Sequence, residues 1–375
     1  VPIAISGFDV LSCLGDAEDT FQALLRGDTG VSPLRRDTQR LGVDHAYEIA
    51  DDAEGRRASR WLARVVAGAV SAAGLDTVGK RVAVVVGTGL RELPDAEWWW
   101  VEGDALTLPE LHFGAVVRGV LPEVGEVLTI SNACAASGYA LAVGADLLTA
   151  GEADAVVVAG CDSITDSLLA VIGRGSAVRS TAVRPFDSDR EGVLLGEGAA
   201  AVVIEPEEAV LAEGREVLAR LHGVGLSCDA YHETAPDPAG IAACMRDAHR
   251  RAGVVPAEVD LVVAHGTSTA LNDPAEAAAL TDVFGDALGH ALVTGIKGAV
   301  GHTSGAAALM SVVVAIQAMR DGVVPAIGGL TQPIPEAEQL GLVAGAPRAA
   351  RPLVAQIDSF GFGGVNAVAL VGVAR

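Results

Sequence analysis

Aromatic side chains are scarce in this chain: they make up 4% of 375 residues, although half of the residues are hydrophobic. A core without large rings has to be filled by alanine, valine, leucine and glycine, which let helices lie close on a sheet. Lysine is scarcer still, with Lys80 and Lys297 the only two among 26 basic residues. Positive charge as a whole is short, and the formal net charge is −22. That balance excludes a general nucleic-acid binder, which needs a basic face, and disfavours attraction to an anionic membrane. No uninterrupted apolar run reaches the ~18 residues of a transmembrane helix, and no basic-then-apolar leader opens the chain. The five cysteines (13, 134, 161, 228 and 244) are scattered and odd in number. They read as reduced thiols in a cytoplasmic protein rather than as a disulfide framework. What the chain has in excess is glycine, 45 residues against a usual ~7%, with no collagen-like period to absorb it.

Along the chain, apolar β-rich runs alternate with helical periods. Strands are expected at 1–7, 81–86, 126–130, 154–159, 199–204, 217–226, 261–264 and 291–295, with a closing hairpin of 353–359 and 367–373. Helices are expected at 16–26, 56–73, 135–150, 238–252 and 274–284, and from His302 through Met319. The stretch 90–125, which holds Trp98, Trp99 and Trp100, has no clean period and reads as an irregular excursion. Strand–helix alternation of this kind makes an α/β chain. A faint echo runs through it: Cys134 followed by Ser137-Gly138, and His302 followed by Ser304-Gly305, each at the head of a long small-residue helix. This pattern suggests two related halves, each donating a helix start to one site.

Three segments carry the chemistry: Ser131-Asn132-Ala133-Cys134-Ala135-Ala136-Ser137-Gly138, Ala264-His265-Gly266-Thr267-Ser268-Thr269 and Lys297-Gly298-Ala299-Val300-Gly301-His302. They lack the local Cys-x-x-Cys or His-x-x-x-His spacing of a metal site, so no metal is expected. One thiol and two imidazoles suit acyl transfer through a thioester followed by attack of a carbanion. Cys134 stands between a strand and a helix, where unpaired N–H groups and the positive end of the dipole favour thiolate. Bringing a free thiol from ~8.5 to about 7 takes roughly 2 kcal/mol, within reach of a dipole plus an imidazole. His302 is expected at a helix start, where the dipole disfavours protonation. A neutral imidazole there can donate one hydrogen bond to a developing oxyanion, worth roughly 3–4 kcal/mol of barrier. Lys297 is placed to orient the site or hold a carboxylate. Phe362 lies among Gly361, Gly363 and Gly364, a candidate aromatic gate on a permissive backbone.

With these motifs in order, the chain resembles the β-ketoacyl-acyl carrier protein synthases, the condensing enzymes of fatty acid and polyketide synthesis. Supporting segments are Ile5 to Gly15, Arg184 to Gly192 with Gly196-Glu197-Gly198, Asp229 to Pro236, and Asn366 after the glycine-rich gate, so the likeness spans nearly the whole length. It implies a thiolase-like five-layered α-β-α-β-α fold of two pseudo-repeated halves. Residues 1–205 would carry the nucleophilic cysteine and 206–375 the two histidines. It implies a homodimer, a heterodimer with a ketosynthase-like subunit being the alternative. No cofactor would be bound, the substrates riding on the phosphopantetheine of an acyl carrier protein. By the same resemblance Cys134 takes the acyl group, while His265 and His302 assist loss of CO2 from a malonyl-type extender and stabilise the enolate. Backbone N–H groups of Cys134 and Phe362 form the oxyanion hole, and Glu276 partners Lys297. Thr267 and Thr269 bind the phosphopantetheine arm, and Phe360 joins them in binding substrate. Arg56, Arg57 and Arg60 form a basic patch for the acidic carrier.

The stretch before Cys134 is shorter than in typical fatty-acid members, which use it to shape the acyl tunnel and the dimer contact. An unusual or short acyl group is therefore expected. Two other functions share the family's features: acyl transfer to an alcohol or amine without decarboxylation, and a non-catalytic partner subunit. The retained histidine pair opposes the first and the retained Cys134 the second.

Overall fold

The computed structural model describes residues 1–374 apart from 52–54, 104–105 and 176–177. The first half supplies strands β1 (Ile3–Ser12), β2 (Val82–Thr88), β3 (Glu126–Ser131), β4 (Ala155–Asp162) and β5 (Gly198–Pro206). Its helices are α1 (Ala17–Arg26), α2 (Arg57–Ala73), α3 (Leu93–Glu102), α4 (Gly114–Val120), α5 (Ala136–Thr149) and α6 (Asp166–Gly175). The second half supplies β6 (Ala219–Cys228), β7 (Leu261–Val263), β8 (Leu292–Thr294), β9 (Val354–Gly361) and β10 (Val365–Gly372). Its longer helices are α7 (Pro238–Ala252), α8 (Asn272–Phe284) and α9 (Ala307–Asp321), with short ones at Glu207–Ala212 and Lys297–Val300.

The strands lie in the order β8-β7-β9-β10-β6-β1-β5-β4-β2-β3, with Gly341–Leu342 added beyond β8. Numbered within its own half, each set of five follows the same path, mirrored about the β6–β1 junction. At that junction Ile3–Ile5 pairs antiparallel with Ala219–Leu221. Helix α2 covers one face of the first half-sheet; α7 covers one face of the second, and α8 packs on α7 in the same hydrophobic cluster. Helices α5 and α9 pack between the half-sheets and on each other. This is the thiolase-like five-layered arrangement. It explains the run-on apolar strands: β2 and β4 are buried along their whole length because helices cover both faces.

The two helix starts do repeat one structural element, but not in the register of the sequence echo. Both central helices are entered through a 3-10 turn, Ala133–Ala135 before α5 and Ser304–Ala306 before α9. Each turn opens on a non-glycine residue with positive φ, 48° at Ala133 and 46° at Ser304. Ala133 thus corresponds to Ser304, and matching Ser137-Gly138 with Ser304-Gly305 was a coincidence of composition. The two turns pack against each other and against β2 and β4, which requires bare backbone below them. A Cβ on Gly160 would stand 2.5 Å from the Gly305 carbonyl oxygen, and one on Gly87 would stand 2.4 Å from the Ser137 nitrogen.

One expectation needs correction. The stretch 90–125 is mostly helical, holding α3, a 3-10 turn at Leu108–Leu111 and α4. Helix α3 buries no side chain, so no apolar stripe marks it, and Trp98, Trp99 and Trp100 are 59%, 43% and 81% exposed.

Gly160→Ala is expected to lower stability by about 1–3 kcal/mol, the cost of overpacking a tight site. It should also change the rate at which iodoacetamide labels Cys134 by displacing the turn. Urea unfolding and labelling measure the two effects, and a variant unchanged in both contradicts the packing argument.

Candidate active site

The His265 segment is an open turn drawn tight by two buried carboxylates. Glu276 accepts the N–H groups of His265 and Gly266 at 2.6 and 2.8 Å. Asp273, one turn earlier on α8, accepts those of Thr267 and Ser268, both at 3.1 Å, and that of Phe186 at 2.7 Å. Successive backbone donors thereby converge on anions. The turn sustains φ of 42° at Gly266 and 66° at Ser268, strain of the kind that gathers at functional sites. It presents His265 at the end of β7. Thr267 and Thr269 follow with their hydroxyls 3.1 Å apart.

Lys297 is buried beneath His265. Its ammonium donates to the His265 carbonyl oxygen and lies 3.3 Å from Nδ1 of the same ring. An ammonium has only donors to offer, so Nδ1 accepts and the ring proton is assigned to Nε2. His302 reaches the same state by a different contact: the Ser304 N–H donates to its Nδ1 at 3.3 Å, again assigning the proton to Nε2. That Nε2 is buried and has no hydrogen-bond partner among the described residues. The two rings stand edge to face with centroids 5.4 Å apart, and Phe360 packs 5.5 Å from His265. Burial, reinforced by the Lys297 charge, holds both imidazoles well below their usual pKa, and His302 adds a smaller push in the same direction at His265. Both rings are neutral.

His302 does not open the helix as expected. It forms a bridge with Leu195, and the 3-10 turn follows it, so the helix start acts on it through one N–H. Glu276 and Lys297 interact at longer range rather than as a direct pair. Burial raises the Glu276 pKa and lowers that of Lys297, and the carboxylate's charge opposes the fall.

Cys134 sits in the first 3-10 turn, with its carbonyl held by the Ser359 hydroxyl at 2.8 Å. The expected fall of its pKa towards 7 does not occur. Burial pushes the thiol up to about 11, against the pull of Lys297 and a hydrogen bond from the Phe362 N–H. The dipole of a helix entered through a strained turn is outweighed by loss of water. The Phe362 N–H faces the sulfur, and Gly361 brings that strand to the Cys134 nitrogen, to which a Cβ would stand at 3.3 Å. The Cys134 and Phe362 N–H groups thus lie together. The Phe362 ring is 50% exposed at the mouth.

Cys134, His265 and His302 line one cavity of about 240 Å³, together with Thr267, Thr269, Phe360 and Phe362. Thr234, Ala235 and Pro236 line it as well, and so does an apolar group, Leu168 and Ile172 of α6 with Val193 and Leu195. The three tryptophans do not line it. The sequence reading missed Asp162, which closes β4 and binds both halves. Its carboxylate accepts from the Thr88 hydroxyl and the N–H groups of Gly89, Leu90 and Gly305, at 2.6–2.8 Å. A lone acid ending an otherwise apolar strand was the available signal. Leu168 and Ile172 gave none.

Arg56, Arg57 and Arg60 gather at the start of α2, but each already has a carboxylate. Arg57 turns inward to the buried Glu197 at 2.7 Å and stacks over Trp61. Arg60 meets Asp51 at 3.0 Å, and Arg56 meets Glu110.

The fold and these groups define a thiolase-like acyl-transfer site. Comparison with known proteins agrees. The family described as beta-ketoacyl synthase matches by its N-terminal domain over residues 56–209 and by its C-terminal domain over residues 218–331. The chain is 32% identical to the 3-oxoacyl-[acyl-carrier-protein] synthase 2 of Coxiella burnetii, across 97% of this chain and 96% of that one. Among solved structures, one described as the ishigamide ketosynthase/chain length factor is 32% identical with a TM-score of 0.91, covering 100% of this chain and 99% of that one. A type II PKS acyl-carrier protein in complex with its ketosynthase bound to the hexaketide shares the fold, with TM-score 0.90 at 21% identity, covering 100% and 99%. The chain belongs to the β-ketoacyl synthase family and is a condensing acyltransferase of the ketosynthase class.

Iodoacetamide labelling of Cys134 is expected to accelerate about tenfold per pH unit between about pH 7 and 9, because only the thiolate reacts and its pKa lies above that range. Lys297→Ala, which removes the nearest stabilising cation, should slow labelling at every pH. A rate that levels off near pH 7 would contradict the buried-thiol account.

Proposed function

We propose that the protein joins an acyl group carried on Cys134 to a malonyl-type extender held on an acyl carrier protein, with loss of CO2, in polyketide or fatty acid synthesis. The observation that carries this reading is the unpartnered Nε2–H of buried His302, beside a His265 fixed in the same tautomer. Two such donors on rings that line one cavity suit an enolate oxygen.

The chemistry balances without a strong resident base. In the first step the Cys134 sulfur attacks the acyl thioester, and its proton ends on the departing pantetheine sulfur. In the second, the malonyl carboxylate leaves as CO2. The electron pair passes to the thioester oxygen, where the His265 and His302 Nε2–H groups hold it. The resulting carbanion attacks the Cys134 thioester, whose oxygen is stabilised by the Cys134 and Phe362 N–H groups. Collapse releases the β-ketoacyl product on the carrier and a Cys134 thiolate, which regains a proton from solvent. Lys297 acts on this sequence by fixing the His265 tautomer, and Glu276 by holding the turn that presents it. Neutral imidazoles matter here, because protonation would cost more than the enolate could return in a buried site.

Thr267 and Thr269 suit the amides of a phosphopantetheine arm entering past Phe362. Within the arginine group Arg56 suits contact with an acidic carrier: it is half exposed, and an exposed pair such as Arg56–Glu110 is weak enough to exchange partners. Arg57 supports the patch from within. The apolar end of the cavity, closed by Leu168, Ile172, Val193 and Leu195, suits a short acyl chain. A second subunit, either a copy of this chain or a ketosynthase-like partner, suits the free edge of β3, whose Val127, Leu128 and Ile130 are half buried. The reading places the enzyme in the cytoplasm, where its five free cysteines stay reduced.

His302→Ala is expected to cut CO2 release from a malonyl-carrier substrate by about 10²–10³-fold, with Cys134 still loaded by an acyl thioester. Equal loss of both activities would mean that His302 serves the first step instead. In a panel of acyl thioesters, short chains should load fastest; equal preference for long saturated chains defeats the short-acyl reading.

A further inference from the structure

Helix α3 is attached to the body in an unusual way. It buries no side chain and turns three tryptophans to solvent. Its firm contacts are carboxylates placed on the starts of two other helices. At α2, Glu92 accepts the Ser59 N–H at 2.5 Å and Asp95 accepts the Arg56 N–H at 3.2 Å. At α6, the two oxygens of Glu97 accept the N–H groups of Asp166 and Ser167 at 3.0 and 2.9 Å. The first turn of a helix has free donors and a partial positive charge, so a bidentate carboxylate there fixes both its position and its direction.

Helix α6 matters because two of its residues, Leu168 and Ile172, form part of the cavity wall. They lie one turn apart on the same face. Further along, α6 is pressed against the chain at Leu41, where a Cβ on Gly173 would stand 2.0 Å from the Leu41 carbonyl oxygen. A helix pinned there tilts about that point, and its start is held by the Glu97 clamp together with the buried Leu169, the Thr165 hydroxyl that accepts the Leu168 N–H at 3.1 Å, and the exposed Arg36–Asp166 pair at 2.7 Å.

We propose that Glu97 is a specificity-determining positioning residue: by clamping the start of α6 it sets how far Leu168 and Ile172 project into the acyl cavity. The choice among acyl groups is thereby set from a helix that does not line the cavity. The inference rests on the reading of this cavity as the acyl site.

The test is competitive loading of the full chain. An equimolar mixture of acyl N-acetylcysteamine thioesters, from acetyl to dodecanoyl, is offered to the wild type, Glu97→Ala, Glu97→Gln and Ile172→Ala, and the adducts on Cys134 are read by mass spectrometry. Ile172→Ala widens the wall directly and should favour longer chains. Glu97→Ala should shift the long-to-short ratio the same way, by roughly three- to tenfold for a lost cap. Glu97→Gln, which keeps one good acceptor, should shift it less. If Ile172→Ala changes the ratio and Glu97→Ala does not, the clamp is overturned while the acyl reading stands. Slower loading of every chain at an unchanged ratio also overturns it, since that is what a merely structural role predicts. If Ile172→Ala leaves the ratio unchanged, the acyl reading of the cavity fails, and the proposal with it.

Discussion

At the centre of the molecule the start of α5 meets the start of α9, with the half-sheets on either side. Each helix is entered through a 3-10 turn that begins on a positive-φ residue, and the turns touch because Gly87, Gly160 and Gly305 present bare backbone. Free N–H groups crowd such a crossing, and in a dry interior they need acceptors. Asp162 supplies one, taking donors from both halves. The placement of the site follows from this contact. Cys134 sits in one turn and His302 just ahead of the other, so the spacing of thiol and imidazole is set by the thickness of packed backbone rather than by flexible side chains.

The electrostatics of the resting site are quiet for the same reason. Burial keeps the thiol protonated and both imidazoles neutral. The buried carboxylates Glu276, Asp273 and Asp162 are occupied by backbone donors. The Lys297 ammonium is turned towards the His265 backbone and Nδ1. What remains at the cavity wall is a set of fixed dipoles, the Nε2–H groups of two lining rings and two backbone N–H groups. They act when substrate places negative charge on an oxygen there, and they need little reorganisation when it does. Fixed donors of this kind favour a transition state over a neutral ground state.

Much of this was legible in the chain itself. Alternating β-rich and helical runs carry the α/β class, and the Cys134, His265 and His302 segments are local enough in sequence to be read with their neighbours. Topology supplies what reading residue by residue cannot. The mirrored strand order depends on long-range strand pairing, and the true register of the repeat on backbone angles at Ala133 and Ser304, where nothing in an Ala-rich stretch signals a positive φ. Helix α3 escaped notice because carboxylates, not an apolar face, attach it. The Cys134 acidity was misjudged because a dipole is visible in sequence whereas the depth of burial is not. The roles of Leu168 and Ile172 depend on which wall α6 forms, a tertiary fact with no local mark.

The central claim is that one cavity both releases CO2 and forms the carbon–carbon bond. The direct measurement is stoichiometry in a single turnover, with protein preloaded on Cys134, malonyl-carrier labelled in its free carboxylate, and released CO2 counted against β-ketoacyl-carrier by mass spectrometry. The account predicts one CO2 per β-ketoacyl product, with Cys134 returned to its free thiol. Discharge of the acyl group with the malonyl carboxylate intact would contradict it.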